Sequence, residues 1–257
     1  MTAEIRLAHD GAAAILTIAN AARLNALTGD MLRALPATLD ALAADAGVRA
    51  VILTGEGEKS FCAGADIAEW GAMAPFDFAR DWIALGHRVF DRLATFPKPV
   101  IAAIDGYCFG GGLELAGTAD VRVASGRASF GLPETSIGVN PGWSGVQRLR
   151  RTIPDALIRE MALTGARLAP SRLLTVGFLN AVVDGDPLPA AAEIARRVAG
   201  LAPKAVEVTK AVLNASAGEG RALALDQLAG TLLAKTADKE EGITAFRQKR
   251  KAEFGGE

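Results

Sequence analysis

This 257-residue sequence contains two acidic residues whose type and position best suit acid–base chemistry. Glu114 directly follows the triple glycine Gly110–Gly112 and one leucine, in the segment FGGGLEL. Glu134 follows a proline in the segment FGLPETSIGVNPG. Two carboxylates beside one ligand suit proton transfer next to a carbonyl group, provided that burial raises the pKa of at least one of them.

The triple glycine is predicted to lie at a turn between a buried strand, KPVIAAIDG, and a short helix, GLELAGTAD. The first amides of a helix have no intrahelical acceptor, and glycine lets a ligand approach them without meeting a Cβ. A second turn of small residues, SFCAGADI at 60–67, follows the strand AVILTG. We therefore predict that the amides of Ala65 and Gly111 face one oxygen across a cleft, as an oxyanion hole.

Each of these features also has an interpretation without chemistry. A triple glycine can be only a tight turn, and Glu114 can simply stabilise a helix N-terminus. Glu134 can be a solvated loop residue, and Asp66 can cap the segment after its loop. A GxGxxG fingerprint is absent, which argues against dinucleotide binding. The two histidines, His9 and His87, have no nearby Ser or Cys in a nucleophile-elbow composition, so Ser–His hydrolysis and histidine-based metal catalysis are not expected.

The elements that must position these residues alternate between strand and helix through the first 200 residues. They are a hairpin of Ile5–Leu7 and Ala12–Ile18 around Asp10-Gly11, a helix capped by Thr28 and running toward Ala46, a strand at 49–55, a helix at 76–93, and strands in KPVIAAIDG and ADVRVAS. This alternation predicts βαβ crossovers and a largely parallel sheet with helices packed outside it. From about Pro203 the pattern changes to helices alone. We predict a core over residues 1–200 and a helical region over residues 201–257.

Composition and charge exclude several classes of protein. Half of the residues are hydrophobic, which suffices for a substantial core, and 28 Lys+Arg against 29 Asp+Glu produce no global field toward nucleic acid or an anionic membrane. There is no signal-peptide pattern and no apolar run of the roughly 20 residues that span a bilayer, so a soluble cytoplasmic protein is expected. Cys62 and Cys108 have no partner cysteines at the spacing that metal ligands or a disulfide framework show. Two buried thiols are therefore favoured over a disulfide or a zinc site.

Six segments in order resemble the enoyl-CoA hydratase/isomerase family, also called the crotonase family. They are RLNAL, FCAGADIAE, GYCFGGGLELAGTADVRVAS, ASFGLPETSIGVNPGWSGVQRL, ALTGARLAPSRLLTVGFLNAVV and AFRQKRKAEF. The resemblance as a whole covers nearly the entire chain, from about Ile15 to Phe254. The resemblance implies an α/β fold in which a crotonase-like spiral of ββα repeats is followed by an all-helical C-terminal region. In the family that region builds trimers, usually paired into hexamers.

The resemblance also implies roles for the residues already singled out. In the family, amides at the positions of Ala65 and Gly111 hold the thioester oxygen of an acyl-CoA, and acids at the positions of Glu114 and Glu134 characterise the hydratase branch. The implied reaction adds water across the 2-trans double bond of an enoyl-CoA to give a 3-hydroxyacyl-CoA. Glu114 would remove a proton from the water and Glu134 would protonate C2. No metal or redox cofactor is expected, since coenzyme A is part of the substrate.

Further positions are implied to bind coenzyme A. Arg23 occupies the place where the family commonly has a cation near the adenosine phosphates, and Ala63 and Ile67 flank the place of the adenine. Phe246 and Lys249, in the basic tail, would reach the CoA of a neighbouring subunit. Arg23 and the tail also have an interpretation as solvated basic surface without a ligand.

Asp66 and Trp143 complete the predicted set of substrate contacts. Trp143, in NPGWSG, is a departure, because many hydratases have a small residue there. A large indole beside the acyl site would shorten or reshape the pocket, and so leaves the acyl group of the substrate open. The alternative is that the indole packs away from the ligand.

Three other functions stay open. The same CoA site serves isomerases, hydrolases, decarboxylases and dehalogenases of the family, because one oxyanion hole supports them all. A noncatalytic relative that binds CoA or RNA is a second alternative, and the near-neutral charge without a basic-aromatic stripe counts against RNA. A generic α/β nucleotide binder is a third, and the phosphate-loop fingerprints that it needs are missing.

Overall fold

The strands of the chain are divided between two sheets, which lie in the first of two compact units. In this computed structural model, which describes residues 3–257, the units are Met1–Lys210 and Ala211–Glu257. The sequence predicts a division near residue 200, and the structure divides the chain between Lys210 and Ala211.

The described strands are β1 (Glu4–Asp10), β2 (Ala13–Ala19), β3 (Ala50–Gly55), β4 (Ser60–Cys62), β5 (Val100–Ile104), β6 (Tyr107–Phe109), β7 (Val121–Ser125), β8 (Ser129–Gly131) and β9 (Ala181–Val183). Six of them form the larger sheet in the order β1-β2-β3-β5-β7-β9, and β4-β6-β8 form the smaller one. Only β1 and β2 pair antiparallel among the described strands, so the predicted hairpin and the predicted parallel sheet are both confirmed.

The helices connect these strands in a repeating pattern. The described α-helices are α1 (Gly29–Ala44), α2 (Ile67–Trp70), α3 (Pro75–Asp77), α4 (Ala84–Ala94), α5 (Gly111–Ala116), α6 (Gly145–Leu149), α7 (Asp155–Thr164), α8 (Pro170–Thr175), α9 (Leu188–Ala199), α10 (Pro203–Ser216), α11 (Arg221–Leu233) and α12 (Ala237–Gln248). Short 3₁₀ turns cover Ala21–Arg23 and Glu134–Ile137. Three times, a strand of the larger sheet is followed by one of the smaller sheet and then by helix, which confirms the ββα repeat.

Two predicted helices differ from the structure. The helix predicted over 76–93 contains a π-helical stretch, Phe78–Ile83, between α3 and α4. In the C-terminal segment KEEGITAFRQKRKAEF, α12 ends at Gln248 because Lys249 adopts a left-handed conformation with φ 53°, which stops a helix.

The predicted N-terminal cap of α1 is confirmed, since Thr28 Oγ1 accepts a hydrogen bond of 3.2 Å from the amide of Met31.

The larger sheet is covered by apolar side chains on both faces. Alternate residues of β3 point to opposite faces, so Val51 and Leu53 belong to one buried cluster and Ala50 and Ile52 to another. The first cluster includes the buried faces of α1 and α4, and the second includes alanines of α9. Because both faces of the sheet are buried, the sequences of its strands are continuous apolar runs.

The short helix α5 is fixed at its C-terminus by a buried arginine. The guanidinium of Arg122, on β7, donates to the carbonyl oxygens of Ala116, Ala119 and Phe178 and lies over the Phe178 ring, 4.7 Å from its centroid. Burial lowers the pKa of Arg122 to about 10. These contacts hold α5 against the sheet, and α5 carries Glu114.

The cysteines are buried and unpaired, as predicted. Cys62 and Cys108 are neighbours across β4 and β6, and burial raises the pKa of the Cys62 thiol to about 12. Within residues 3–257, no three His, Cys, Asp or Glu side chains are grouped so that they could hold a metal ion. No helix in the same range has the length and apolar character needed to cross a membrane.

Candidate active site

A cavity of about 190 Å³ lies at the carboxyl ends of the three strands of the smaller sheet. β4 leads into Ala63–Ala65, β6 into Gly110 and Gly111, and β8 into Pro133 and Glu134, and all of these residues line the cavity. Parallel strands end at one edge of their sheet, so residues from three distant parts of the sequence meet there. Glu114 lines the same cavity.

Ala65 and Gly111 line this cavity, and their backbone amides have no acceptor among the described residues. Gly64 O accepts a hydrogen bond of 2.8 Å from Leu27 N, and Asp66 N donates one of 2.9 Å to Leu27 O. The Ala65 amide lies between these two bonds and takes part in neither. Gly111 begins α5, where an amide has no intrahelical partner. Among the described residues neither amide donates a hydrogen bond. A Cβ added at Gly64 would lie 3.3 Å from Gly111 N, so the two segments are in close contact.

Glu114 is almost completely buried, with 2% of its surface exposed. Its Oε1 accepts hydrogen bonds of 2.8 Å from the backbone amides of Trp143 and Gly145. Burial raises the pKa of Glu114, and the amide hydrogen bonds oppose that rise because they stabilise the charged form. The backbone of Gly145 passes so close to Glu114 Cγ that a side chain there would clash with it.

Glu134 has a different environment at the start of its 3₁₀ turn. Burial raises its pKa to about 7, and the neighbouring charge of Glu114 acts in the same direction. Its Oε2 is buried and has no hydrogen-bond partner among the described residues. Gly110, with φ 53°, makes room for this carboxyl group, since a Cβ there would lie 2.9 Å from Glu134 Oε1.

One wall of the cavity is aromatic. Trp143 lines the cavity and packs on Trp82 and Phe90, with ring centroids 5.6 and 5.2 Å apart. Trp70 and Phe78 form a second pair at 5.3 Å and line the cavity as well. The indole of Trp143 is thus placed in the cavity wall and not away from it. Trp70, Phe78 and Trp82 are not among the site residues predicted from the sequence, although their spacing is typical of one face of a helix.

The residues implied to bind CoA lie in several places. Ala63 and Ile67 line the cavity, and Ile67 is half exposed. Arg23 forms an ion pair with Asp66, with Nη1 at 2.8 and 3.0 Å from the two carboxylate oxygens, and its side chain is 56% exposed. Asp66 also caps α2, because its carboxylate accepts a hydrogen bond of 3.1 Å from the amide of Ala68.

Phe246 and Lys249 belong to the second unit. Phe246 lies on α12 with 86% of its surface exposed, and Lys249 is the residue at which that helix ends. Both side chains are therefore on the surface of the single chain.

His87 and Ser144 form a contact that was not predicted from the sequence. Ser144 Oγ lies 2.5 Å from His87 Nδ1, so this histidine does have a serine close to it. The two residues are 57 positions apart, and no motif in either segment indicates that they meet.

The comparisons with known proteins agree with this fold. The model of the enoyl-CoA hydratase/isomerase family matches residues 9–257. Short-chain-enoyl-CoA hydratase of Clostridium acetobutylicum is 39% identical over 96% of this chain and 95% of its own, and crotonyl-CoA hydratase of Syntrophomonas wolfei is 37% identical over 94% of each. The crystal structure of an enoyl-CoA hydratase from Bacillus anthracis superposes with a TM-score of 0.80 at 33% identity, covering 98% of this chain and 99% of that one. The chain therefore belongs to the enoyl-CoA hydratase/isomerase family.

Proposed function

We propose that this enzyme is an enoyl-CoA hydratase that adds water across the 2-trans double bond of an enoyl-CoA to give a 3-hydroxyacyl-CoA. The observation that supports this most strongly is the meeting of two carboxyl groups and two unpaired backbone amides in one cavity. Relatives named as hydratases, similar over nearly the whole chain, support the same reaction.

The amides of Ala65 and Gly111 would bind the thioester oxygen. As water adds at C3, negative charge moves onto this oxygen and an enolate forms. Two fixed donors stabilise that charge without reorganisation, and the loss of one such donor raises a reaction barrier by on the order of 3 kcal/mol. Since neither amide has another acceptor among the described residues, both are free to make these bonds.

Glu114 would act as the base. Its carboxylate is fixed through Oε1 by the amides of Trp143 and Gly145, which favour the charged form that accepts a proton. It would orient a water molecule and take one of its protons while the oxygen bonds to C3.

Glu134 would act as the acid. A pKa of about 7 means that much of this carboxyl group carries a proton at neutral pH. It would deliver that proton to C2 of the enolate, and exchange with solvent would return a proton to Glu134 and remove one from Glu114. This chemistry consists of charge stabilisation and proton transfer, and it calls for no metal or redox cofactor.

The acyl group of the proposed substrate is short. Trp143, packed on Trp82 and Phe90, lines the same cavity as Glu114, and a large indole at this position would leave less room for a long chain than a small residue would. The names of two relatives, a short-chain-enoyl-CoA and a crotonyl-CoA hydratase, support this choice.

Coenzyme A would bind through Arg23, Ala63, Asp66 and Ile67. The ion pair with Asp66 holds the exposed guanidinium of Arg23 in one orientation, where it would meet a phosphate. Affinity for CoA should therefore fall as salt concentration rises, because exposed charges are screened.

We also propose that the enzyme assembles into trimers or hexamers and acts in the cytoplasm. The second unit exposes large apolar side chains along α11, which association would cover: Leu223, Leu225, Leu232 and Leu233. In such an assembly Phe246 and Lys249 would contribute to the CoA site of a neighbouring subunit.

A product screen tests the reaction. The enzyme is incubated with crotonyl-CoA, longer 2-enoyl-CoAs, 3-enoyl-CoAs and branched or aromatic acyl-CoAs, and the products are analysed by mass spectrometry. We expect a mass gain of one water, fastest with crotonyl-CoA. An unchanged mass with a moved double bond would show an isomerase, and CoA binding without turnover would show a noncatalytic relative.

A further inference from the structure

Helix α4 contacts the loop that holds Glu114 through His87. The imidazole Nδ1 and the hydroxyl of Ser144 are 2.5 Å apart, and both residues are half-buried. Ser144 lies between Trp143 and Gly145, the two residues whose amides bind Glu114 Oε1. The histidine thus contacts the middle residue of a three-residue segment whose outer residues hold the proposed base.

The backbone of Ser144 is in the left-handed region, with φ 64° and ψ 12°. Residues with a side chain rarely adopt this conformation, because their Cβ approaches a carbonyl oxygen. A left-handed residue within a loop turns successive amides toward one side, which creates a binding position for an anionic oxygen. Here that oxygen is Glu114 Oε1, so the binding of the carboxylate depends on the unfavourable conformation of Ser144.

Two further contacts attach the same loop to α4. The indole of Trp143 lies directly against Gly86, where a Cβ would clash with the ring nitrogen. Arg148, on α6, forms an ion pair of 2.8 Å with Asp91, one turn after His87. With these contacts in place, the loop is expected to stay on α4 when the His87 hydrogen bond is removed, and only its local backbone to change.

We propose that His87 is a positioning residue, whose hydrogen bond to Ser144 Oγ keeps Ser144 left-handed and thereby keeps the Trp143 and Gly145 amides on Glu114. The proposal rests on the proposed function of Glu114 as the base. Neither His87 nor Ser144 is among the described residues that line the cavity, so the pair acts through Glu114 and not as a nucleophile and its base.

A matched pair of variants separates the hydrogen bond from the shape of the side chain. In His87→Asn an amide atom takes the position of Nδ1 and can donate or accept, whereas His87→Leu has the same branched shape without a polar atom. We expect the Asn variant to keep kcat for crotonyl-CoA within about threefold of wild type. The Leu variant should lose about tenfold or more in kcat with KM changed less than threefold, since a displaced catalytic group slows the chemical step.

A second background tests the link to the backbone of Ser144. Glycine adopts the left-handed conformation without help, so in the Ser144→Gly background His87→Leu should cost less than about twofold in kcat. An equal loss in both backgrounds, or an Asn variant as slow as the Leu variant, would overturn the proposal.

Crystal structures give a readout that needs no turnover. In His87→Leu we expect Ser144 to leave the left-handed region and Glu114 Oε1 to lose at least one amide hydrogen bond, and in His87→Asn we expect both to stay. An unchanged loop in the Leu variant would contradict the positioning role. Wild-type protein without hydratase activity would instead contradict the proposed function, whatever the loop does.

Discussion

Glu114 and Glu134 line one cavity and differ in what supports them. Glu114 lies on a helix, is almost fully buried, and has an oxygen fixed by two backbone amides. Glu134 begins a 3₁₀ turn whose next three residues are exposed, and its buried oxygen has no partner among the described residues. Both carboxyl groups are therefore largely removed from water, but they accept hydrogen bonds from different donors.

That difference separates their acid–base properties. Burial raises the pKa of both. At Glu114 the amides of Trp143 and Gly145 stabilise the charged form against that rise, whereas at Glu134 only its own backbone amide does so and the charge of Glu114 adds to the rise. Two carboxyl groups whose environments differ in this way can hold one proton between them, with the proton on the group that has fewer hydrogen-bond donors. The resulting prediction is a base at Glu114 and an acid at Glu134, which three experiments can test.

The largest effect is expected from Glu114→Gln. The amide oxygen of glutamine can still accept hydrogen bonds from Trp143 and Gly145, so the loop should keep its position while the base is lost. Hydration of crotonyl-CoA, followed by the loss of ultraviolet absorbance of the conjugated thioester, should slow by about 10²-fold or more. Glu240→Gln, at an exposed glutamate of the second unit, is the matched control and should leave the rate unchanged. A folded Glu114 variant with the wild-type rate would refute its role as base.

Much of this cavity was predictable from local patterns. Glycines placed between a strand and a helix identify a turn with free amides, and the sequence puts Gly111 three residues before Glu114 within α5. The strand and helix alternation predicts a parallel sheet, and parallel strands bring the Ala65 and Gly111 segments to one edge. These are consequences of periodicity and of residue conformation, which a sequence displays directly.

The contacts that distinguish the two carboxyl groups were not predictable. The amides that bind Glu114 come from residues 29 and 31 positions away, and no local pattern specifies which loop meets which helix face. A pKa of about 7 at Glu134 depends on burial by side chains from other elements. The position of Trp143 in the cavity wall likewise follows from its packing on α4, since a helix residue without a Cβ receives the indole.

A pH profile tests the acid more directly than a single rate. Because Glu134 has a pKa of about 7, its proton-donating form predominates below pH 7 and is lost above it. The kcat/KM of wild-type enzyme for crotonyl-CoA should therefore fall by up to about tenfold for each pH unit well above 7. Glu134→Gln should be slow at every pH and should lack that fall. The assignment fails if the variant keeps the same decline, because another group would then be titrating.

The smallest effect concerns stability, and its sign follows from the raised pKa of Glu134. The folded protein holds this proton up to about pH 7, whereas the unfolded chain releases it near pH 4.5. The contribution of the group to stability is thus fully present below pH 4.5 and is lost as pH rises through 7. Glutamine stays neutral, so the advantage of Glu134→Gln over wild type should grow between pH 5 and pH 8, by about 1–2 kcal/mol after solvent screening is allowed for.

Urea unfolding at pH 5 and pH 8, at one protein concentration, measures this change in the free energy of unfolding. Glu240→Gln, which removes an exposed carboxylate, is measured alongside as the control variant. A difference between Glu134→Gln and wild type that is equal at both pH values would mean that the Glu134 carboxyl is as well solvated in the fold as in the unfolded chain. The contrast with Glu114 would then lie in geometry alone, and the proton assigned to Glu134 would need another source.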